Sequence, residues 1–280
     1  MSLADRVAAS FDGAADKRYR EVMVSLVRHL HAFVADVSLT EAEWAAAIDF
    51  LTRTGQQCDD KRQEFILLSD VLGASMAVID ANHPTGGSAT ESTVLGPFFV
   101  EGAPEFALGE DISGGAPGTP CFLWGTVRNA DGQPVPDAGL EVWQSDEDGN
   151  YDVQYADLDH ARGRGRLRAD EAGRYAFWSV HPEAYPIPDD GPVGELLAAA
   201  GRGPMRPAHV HFMVSAPGYR TLVTHVFASD SEHLDDDAVF GVKRSLIADF
   251  DRHGPGRAPD GRELAVPFHT ARFDIVLAPE

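Results

Sequence analysis

An α+β protein, with an N-terminal helical domain followed by a C-terminal mixed-topology β-sandwich that holds a metal site, is predicted by three features of the 280-residue chain. Apolar residues recur at helical spacing up to about residue 80, and short strand-like runs separated by glycine and proline take over after about residue 100. Between them, HPTGGSATESTVLGPFF is dense in turn formers. The expected division is 1–92 for the helical domain and 93–280 for the sandwich. With 44% hydrophobic and 24% charged residues, the chain has the composition of a folded protein with ample core.

Each element has its own signal. Tyr19, Met23, Leu26, Leu30, Phe33 and Val37 recur at alternating steps of four and three, a narrow apolar seam suited to packed or supercoiled helices. Thr40 and Glu43 form a capping box that opens a helix to about residue 52. A third helix is expected over 60–80, with Phe65, Leu68, Leu72, Met76 and Ile79 on one face. CFLWGTVR and AGLEVWQ, with a turn at Asp131-Gly132 between them, read as a hairpin-like unit. GRYAFWSV, PAHVHFMVS, TLVTHVFA and LAVPFHTARFDIVLA are further strands, and one late helix is expected over 236–252.

Composition excludes several function classes. Lysine and arginine number 23 against 44 aspartates and glutamates, a net charge of −21 that repels nucleic acid and anionic membrane surfaces. Cys58 and Cys121 are too few for a disulfide framework or a cysteine zinc site, though a single bridge stays open. No apolar run is long enough to span a bilayer, and the opening segment lacks the apolar stretch of a secretory signal, so a cytoplasmic location is expected. Gly-rich phosphate loops, G-x-S-x-G and H-E-x-x-H are absent from the sequence.

Some patterns read as ordinary structure. Asp146, Asp148, Asn150 and Asp152 alternate like calcium-loop ligands, but Tyr151 stands where that loop needs glycine and Asp157 where it needs glutamate. The arginines at 162, 164, 166 and 168 read as a solvated strand face, and His29 and His31 as solvated helix positions. His160, His181, His233, His253 and His269 show no partner pattern and receive no role.

The sharpest chemical feature is Arg206-Pro207-Ala208-His209-Val210-His211. Residues two apart on a strand share a face, so His209 and His211 are able to address one metal; a polar strand face is the plainer alternative. Tyr151 follows a tight acidic turn, and Tyr185 sits between prolines at 182 and 186, which stiffen its backbone. A bound trivalent cation favours the deprotonated phenol, a hard oxygen donor suited to ferric iron. Tyrosines also pack on cores with the hydroxyl reaching water, and that reading stands beside the first.

Taken together, V-W-x-x-x-x-x-G before a tyrosine, Y-P-I-P-x-x-G-P-V-G and R-P-x-H-x-H resemble the intradiol ring-cleaving dioxygenases. The resemblance extends to EFILLSDVLGASM and STVLGPFF, and so covers nearly the whole chain. It implies one non-haem ferric ion, Fe(3+), held by Tyr151, Tyr185, His209 and His211, with Tyr185 also accepting a substrate proton and Arg206 stabilising negative charge on the bound ring. The expected substrates are dioxygen and a small aromatic diol or triol. WQSDEDGNYDVQY, YPIPDDGPVGELL and RPAHVHFMVSAPGYRTLVTHVF are most similar to members that cleave benzene-1,2,4-triol. His225 stands where catechol-cleaving members usually carry glutamine, whereas Asn150 departs from the bulky residue common there.

Carried over to matching positions, the substrate pocket comprises Asp80, Val94, Leu95, Gly96, Pro97, Phe98, Ile187, Pro188, Arg206, His225 and Val239, with the Asp80 carboxylate expected to bond the third hydroxyl. The resemblance further implies a homodimer through the N-terminal helices, with a phospholipid held between them. Two alternatives remain at this level: catechol or a chlorinated catechol on the same iron site, and a non-catalytic transthyretin-like β-sandwich binding module, which GTVRNADGQPVPDAGLEVW also resembles.

Overall fold

The first three helices begin where a side-chain oxygen meets the amides that a first turn leaves bare. In the computed structural model, which describes residues 1–60, 62–84 and 87–280, Ser2 and Asp5 bond reciprocally at the start of α1 (Leu3–Ala9). Asp16 accepts from the amides of Arg18 and Tyr19 to open α2 (Lys17–Asp36). The Thr40–Glu43 capping box forms as expected before α3 (Glu41–Gln56), with Thr40 N donating to Glu43 Oε2 at 2.9 Å and Glu43 N to Thr40 Oγ1 at 3.2 Å. These three helices make one compact unit, Met1–Gln56; the second unit is Gln57–Glu280. The α2 seam faces outward: Tyr19, Leu26, Leu30, Phe33 and Val37 are each 51–56% exposed.

In the second unit, the helix expected over 60–80 is two. α4 (Glu64–Val71) and α5 (Ala74–Asn82) are separated by Gly73, whose φ of 70° lies in the left-handed region that glycine enters without strain. The break turns Leu68, Val71 and Met76 inward and leaves Phe65 and Leu72 exposed. The turn-rich reading at Thr85 and Gly86 lies outside the described residues. Among the described residues, no helix is long and apolar enough to cross a membrane.

The sandwich is as expected in class. One sheet is built on β1 (Pro120–Asn129), which pairs antiparallel with β4 (Arg174–Val180) on one side. On its other side it pairs parallel with β13 (Phe268–Arg272) and β14 (Ile275–Leu277); β10 (Phe250–His253) lies beyond β13. The second sheet runs β3 (Arg164–Arg168), β2 (Gly139–Gln144), β7 (His209–Ser215), β8 (Leu222–Ala228), β9 (Ile247–Ala248). Two short ladders complete it: β5 (Tyr185–Pro186) with β6 (Met205–Arg206), and β11 (Gly256–Arg257) with β12 (Glu263–Leu264); α6 (Pro192–Ala199) joins β5 to β6.

Period-two alternation decides which face goes where. Cys121, Leu123 and Val127 of β1 meet Leu140 and Val142 of β2, Phe212 of β7 and Val226 of β8 in the core between the sheets. Each fully buried side chain of this size contributes ~1.5–3 kcal/mol. Cys121, wholly buried there, keeps a free thiol rather than a disulfide. The alternate residues of β2, β7 and β8 therefore occupy the outer face of the second sheet, and these include Trp143, His209, His211 and His225.

Two expected elements are replaced. CFLWGTVR and AGLEVWQ do not pair as a hairpin: the turn forms, with Gly132 N donating to Asn129 O, but β1 and β2 enter different sheets. The chain crosses between layers through Pro134-Val135-Pro136, where proline withholds ladder donors. The late helix is absent too. The Asp237 carboxylate captures the amides of Val239 and Gly241, Phe240 turns left-handed at φ 57°, and β9 and β10 follow as strands.

Candidate active site

Cross-strand register assembles the centre of the site. Trp143 lies opposite His211 on β2–β7, and His211 opposite His225 on β7–β8. The Trp143 indole stacks on the His211 imidazole at 4.6 Å and 13°, fixing its plane. His209 Nδ1 lies 2.7 Å from the Pro207 carbonyl oxygen. A carbonyl only accepts, so Nδ1 carries the proton and Nε2 presents its lone pair. His209 Nε2 is then 3.1 Å from His211 Nε2.

Two loops bring in the phenols. Asp146 accepts from the amides of Asp148 and Asn150 and from the Tyr155 hydroxyl, so the acidic turn spends its carboxylate on its own backbone rather than on a cation. Gly149 closes this turn at φ 75°, where a Cβ would stand 2.9 Å from Tyr185 Cβ, so only glycine fits against that residue. Tyr185 is paired with Arg206 in the β5–β6 ladder. The two hydroxyls approach to 3.3 Å, and Tyr151 Oη lies 3.0 Å from His211 Nε2 and 3.5 Å from His209 Nε2. Tyr151, Tyr185, His209 and His211 are all buried.

Burial dominates the electrostatics. It comes first, with the Arg206 charge next, in pushing the His209 imidazole down to about 3. His211 and His225 are lowered for the same first reason, with a neighbouring histidine second. The Tyr151 phenol is pushed well up by burial and then by Tyr185. Four donor atoms of buried imidazoles and phenols thus converge, with the two imidazole Nε2 atoms 3.1 Å apart. That arrangement fits a metal ion: hard phenolic oxygens and imidazoles suit iron, and a cation takes up their lone pairs while favouring the phenolates.

Arg206 closes one side. Its guanidinium lies 3.3 Å from His209 Nε2 through Nη1 and 3.3 Å from His225 Nδ1 through Nη2, while Nε donates to Asp237 Oδ1 at 3.1 Å. Burial opposes its charge, but Asp237 and Tyr185 outweigh burial and hold the guanidinium protonated.

The residues expected to line a pocket are distributed unevenly. Phe98 stacks on Tyr151 at 4.4 Å and meets Tyr185 edge-on at 6.3 Å. Gly96, at φ 78°, passes so close to His211 that a Cβ would lie 3.0 Å from its ring. Val94, Ile187 and Val239 are buried, and Leu95, Pro97 and Pro188 exposed. Asp80 sits near the end of α5 with its carboxylate accepting from Lys243 Nζ at 2.7 Å; the same ammonium donates to the Ser92 carbonyl.

One residue was misread. Arg164, expected on a solvated face, is buried; it pairs with Asp152, the residue after Tyr151, and donates to the Phe98 carbonyl at 2.9 Å. It ties the segment that carries Tyr151 to the segment whose Phe98 stacks on its ring. Arg166 is half-buried beside Glu105, and Arg168 is solvated as expected.

Comparison with known proteins agrees with this geometry. A family model described as "Dioxygenase" matches residues 94–279, and one described as "Catechol dioxygenase N terminus" matches 16–90. The chain is 58% identical over 280 residues to a hydroxyquinol 1,2-dioxygenase of Nocardioides simplex, covering all of this chain and 95% of that one. It is 56% identical over 278 residues to a 6-chlorohydroxyquinol 1,2-dioxygenase of Cupriavidus pinatubonensis, with 99% and 97% covered. The crystal structure of hydroxyquinol 1,2-dioxygenase from Pseudomonas putida DLL-E4 superposes with a TM-score of 0.94 at 47% identity, with 99% and 98% of the two chains covered. This chain belongs to the intradiol ring-cleavage dioxygenases.

Proposed function

We propose that this protein cleaves hydroxyquinol, benzene-1,2,4-triol, between its adjacent hydroxyls with dioxygen, giving 3-hydroxy-cis,cis-muconate and its tautomer maleylacetate. The observation that carries the reading is the buried convergence of two phenol oxygens and two imidazole Nε2 atoms within 3.0–3.5 Å, with a guanidinium beside them, in a chain whose relatives bear that activity's name over their full length. Tyr151, Tyr185, His209 and His211 would hold one ferric ion. Bound there, the ion supplies Lewis acidity that lets an aromatic diol bind with both hydroxyls deprotonated and draws electron density from the ring.

The chain's own groups do the rest. Held as the phenolate that the bound ion would favour, Tyr185 Oη would accept one of the two diol protons and become the phenol. Arg206 remains cationic whatever the proton balance around it and donates to negative charge on the ring, in a water-poor setting that strengthens the interaction. Phe98, Ile187 and Val239 keep water from the ring faces. Asp80 is the group proposed to accept from the third hydroxyl; with Lys243 already on its carboxylate, the pair offers both an acceptor and a cation to that end of the substrate. Both atoms of dioxygen end in the product acid, so no external reductant is consumed.

A homodimer through the helical unit, a phospholipid held there and a cytoplasmic location are part of the same proposal. The outward apolar seam of α2 supports the first two.

The test is ring-cleavage product from benzene-1,2,4-triol and from catechol, side by side on iron-loaded protein. Tyr185→Phe serves as the control for spontaneous oxidation. Triol turnover far ahead of catechol is expected. Catechol ahead of the triol overturns the substrate assignment, and turnover of neither overturns the activity.

A further inference from the structure

His181, Asp230 and His269 form a second cluster of metal-capable side chains that shares no residue with the first. His181 follows β4, Asp230 follows β8, and His269 lies within β13, so the three come from both sheets of the sandwich. One ligand atom from each lies within 4.8 Å of the others. The two imidazoles overlap with centroids 4.4 Å apart and planes at 44°.

The nitrogens are without protein partners. His181 Nε2 and His269 Nδ1 are buried and make no hydrogen bond to any described residue. His181 Nε2 has Asp230 Oδ1 at 3.5 Å, close enough for charge attraction but not bonded. Buried ring nitrogens without partners are costly, and two of them turned toward one carboxylate are hard to account for by packing alone. The edge of Phe250 packs on His181 at 5.4 Å and 83°, holding the ring in place.

We propose that these residues bind a divalent transition-metal ion of the zinc class, through His181 Nε2, His269 Nδ1 and an Asp230 carboxylate oxygen. Two imidazoles and one carboxylate are a common donor set for such ions, and ligand distances near ~2.0–2.2 Å bring the donors together from their present spacing. Asp230, half exposed, has the freedom to close and leaves room for water on the ion. The His269 imidazole is held below its usual range, first by partial burial and then by His181, which keeps its lone pair available. The charges nearby are mixed. Arg252 lies opposite His269 on β10–β13 and opposes a cation, while Glu183 Oε1, 3.9 Å from His181 Nδ1, favours one. The bound ion clips the exits of β4 and β8 to β13, linking both sheets just before the chain reaches Tyr185. It binds the folded state alone and so adds to its stability.

The experiment loads the enzyme with iron, equilibrates it with Zn2+, removes free metal by gel filtration, and measures metal per chain with the thermal unfolding midpoint. One zinc per chain beyond the iron is expected, with a midpoint raised by several degrees and iron content unchanged. His269→Gln and Asp230→Asn should each weaken zinc binding at least tenfold and remove the midpoint shift, while ring cleavage persists. Asp230, being half exposed, keeps the test open should His269→Gln fold poorly. Zinc bound only by displacing iron, no second ion in the unaltered enzyme, or equal zinc retention in both variants overturns the proposal.

Discussion

Arg206 is the residue on which the site's charge balance turns. Among the described residues it is the one cation that touches His209, His225 and Asp237 together, and its guanidinium reaches the cluster without being among the four converging donors. Removing a positioned donor of this kind costs ~10²–10³ in turnover. Arg206→Ala should therefore lower kcat by that order while iron content, read by elemental analysis and by the phenolate–iron colour, stays near that of the unaltered enzyme. Full turnover in the variant, or iron lost in proportion to activity, would sink this division of labour. Arg164 shows why the sequence alone misjudges such residues. Alternating arginines read as a solvated strand face, and nothing local reveals that Arg164 is buried against Asp152 and the Phe98 carbonyl from distant loops.

At the scale of elements, what was legible is what repeats. The seam of α2, the Thr40 capping box and the period-two faces of β2, β7 and β8 are local patterns. The last of these puts His209 and His211 on one face from spacing alone, whereas His225 joins them through the β7–β8 register. Tyr151 and Tyr185 lie in a turn and a two-residue strand, where no period operates; the acidic turn and the flanking prolines drew attention to them, but only the family's motifs joined them to the two histidines. The late helix failed because Val239, Leu246, Ile247 and Phe250 recur much as a helix face does, while the signal against it was Asp237 drawing two amides into a turn. The α2 seam carries a prediction of its own. Large apolar side chains exposed along five turns are rare on an isolated chain and mark contact surfaces. Leu26→Glu with Leu30→Glu, one turn apart, would place carboxylates in the middle of a dimer interface. Sedimentation should show a dimer for the unaltered protein and a monomer for the double variant. A monomer in the first case, or a dimer in both, would refute the α2 interface.

Over the whole molecule, acid should act through buried pairs more than through net charge. The chain carries −21 at neutral pH, and acidification relieves that repulsion, which taken alone stabilises the fold. Most of those carboxylates are solvated, however, and screening within ~8 Å at physiological salt keeps their mutual effect small. Asp237 differs. Burial works to raise its carboxyl, but Arg206 and the amides of Val239 and Gly241 outweigh burial and hold it below the ordinary range. A folded value below the unfolded one means that its contribution is fully present above the ordinary aspartate pKa of ~3.9. The contribution is lost as pH falls through the folded value. Asp237→Asn deletes the charge at every pH and leaves Arg206 buried without its partner, a loss of ~3–5 kcal/mol near neutrality. Thermal midpoints of the two proteins, measured from pH 7 downward, should start far apart, begin to draw together below about pH 4, and meet only once the pH has passed below the depressed folded value, where both carry a neutral group at this position. A gap that stays constant across that range would mean that the Arg206–Asp237 pair contributes through shape and hydrogen bonding rather than charge, and that acid unfolding begins elsewhere.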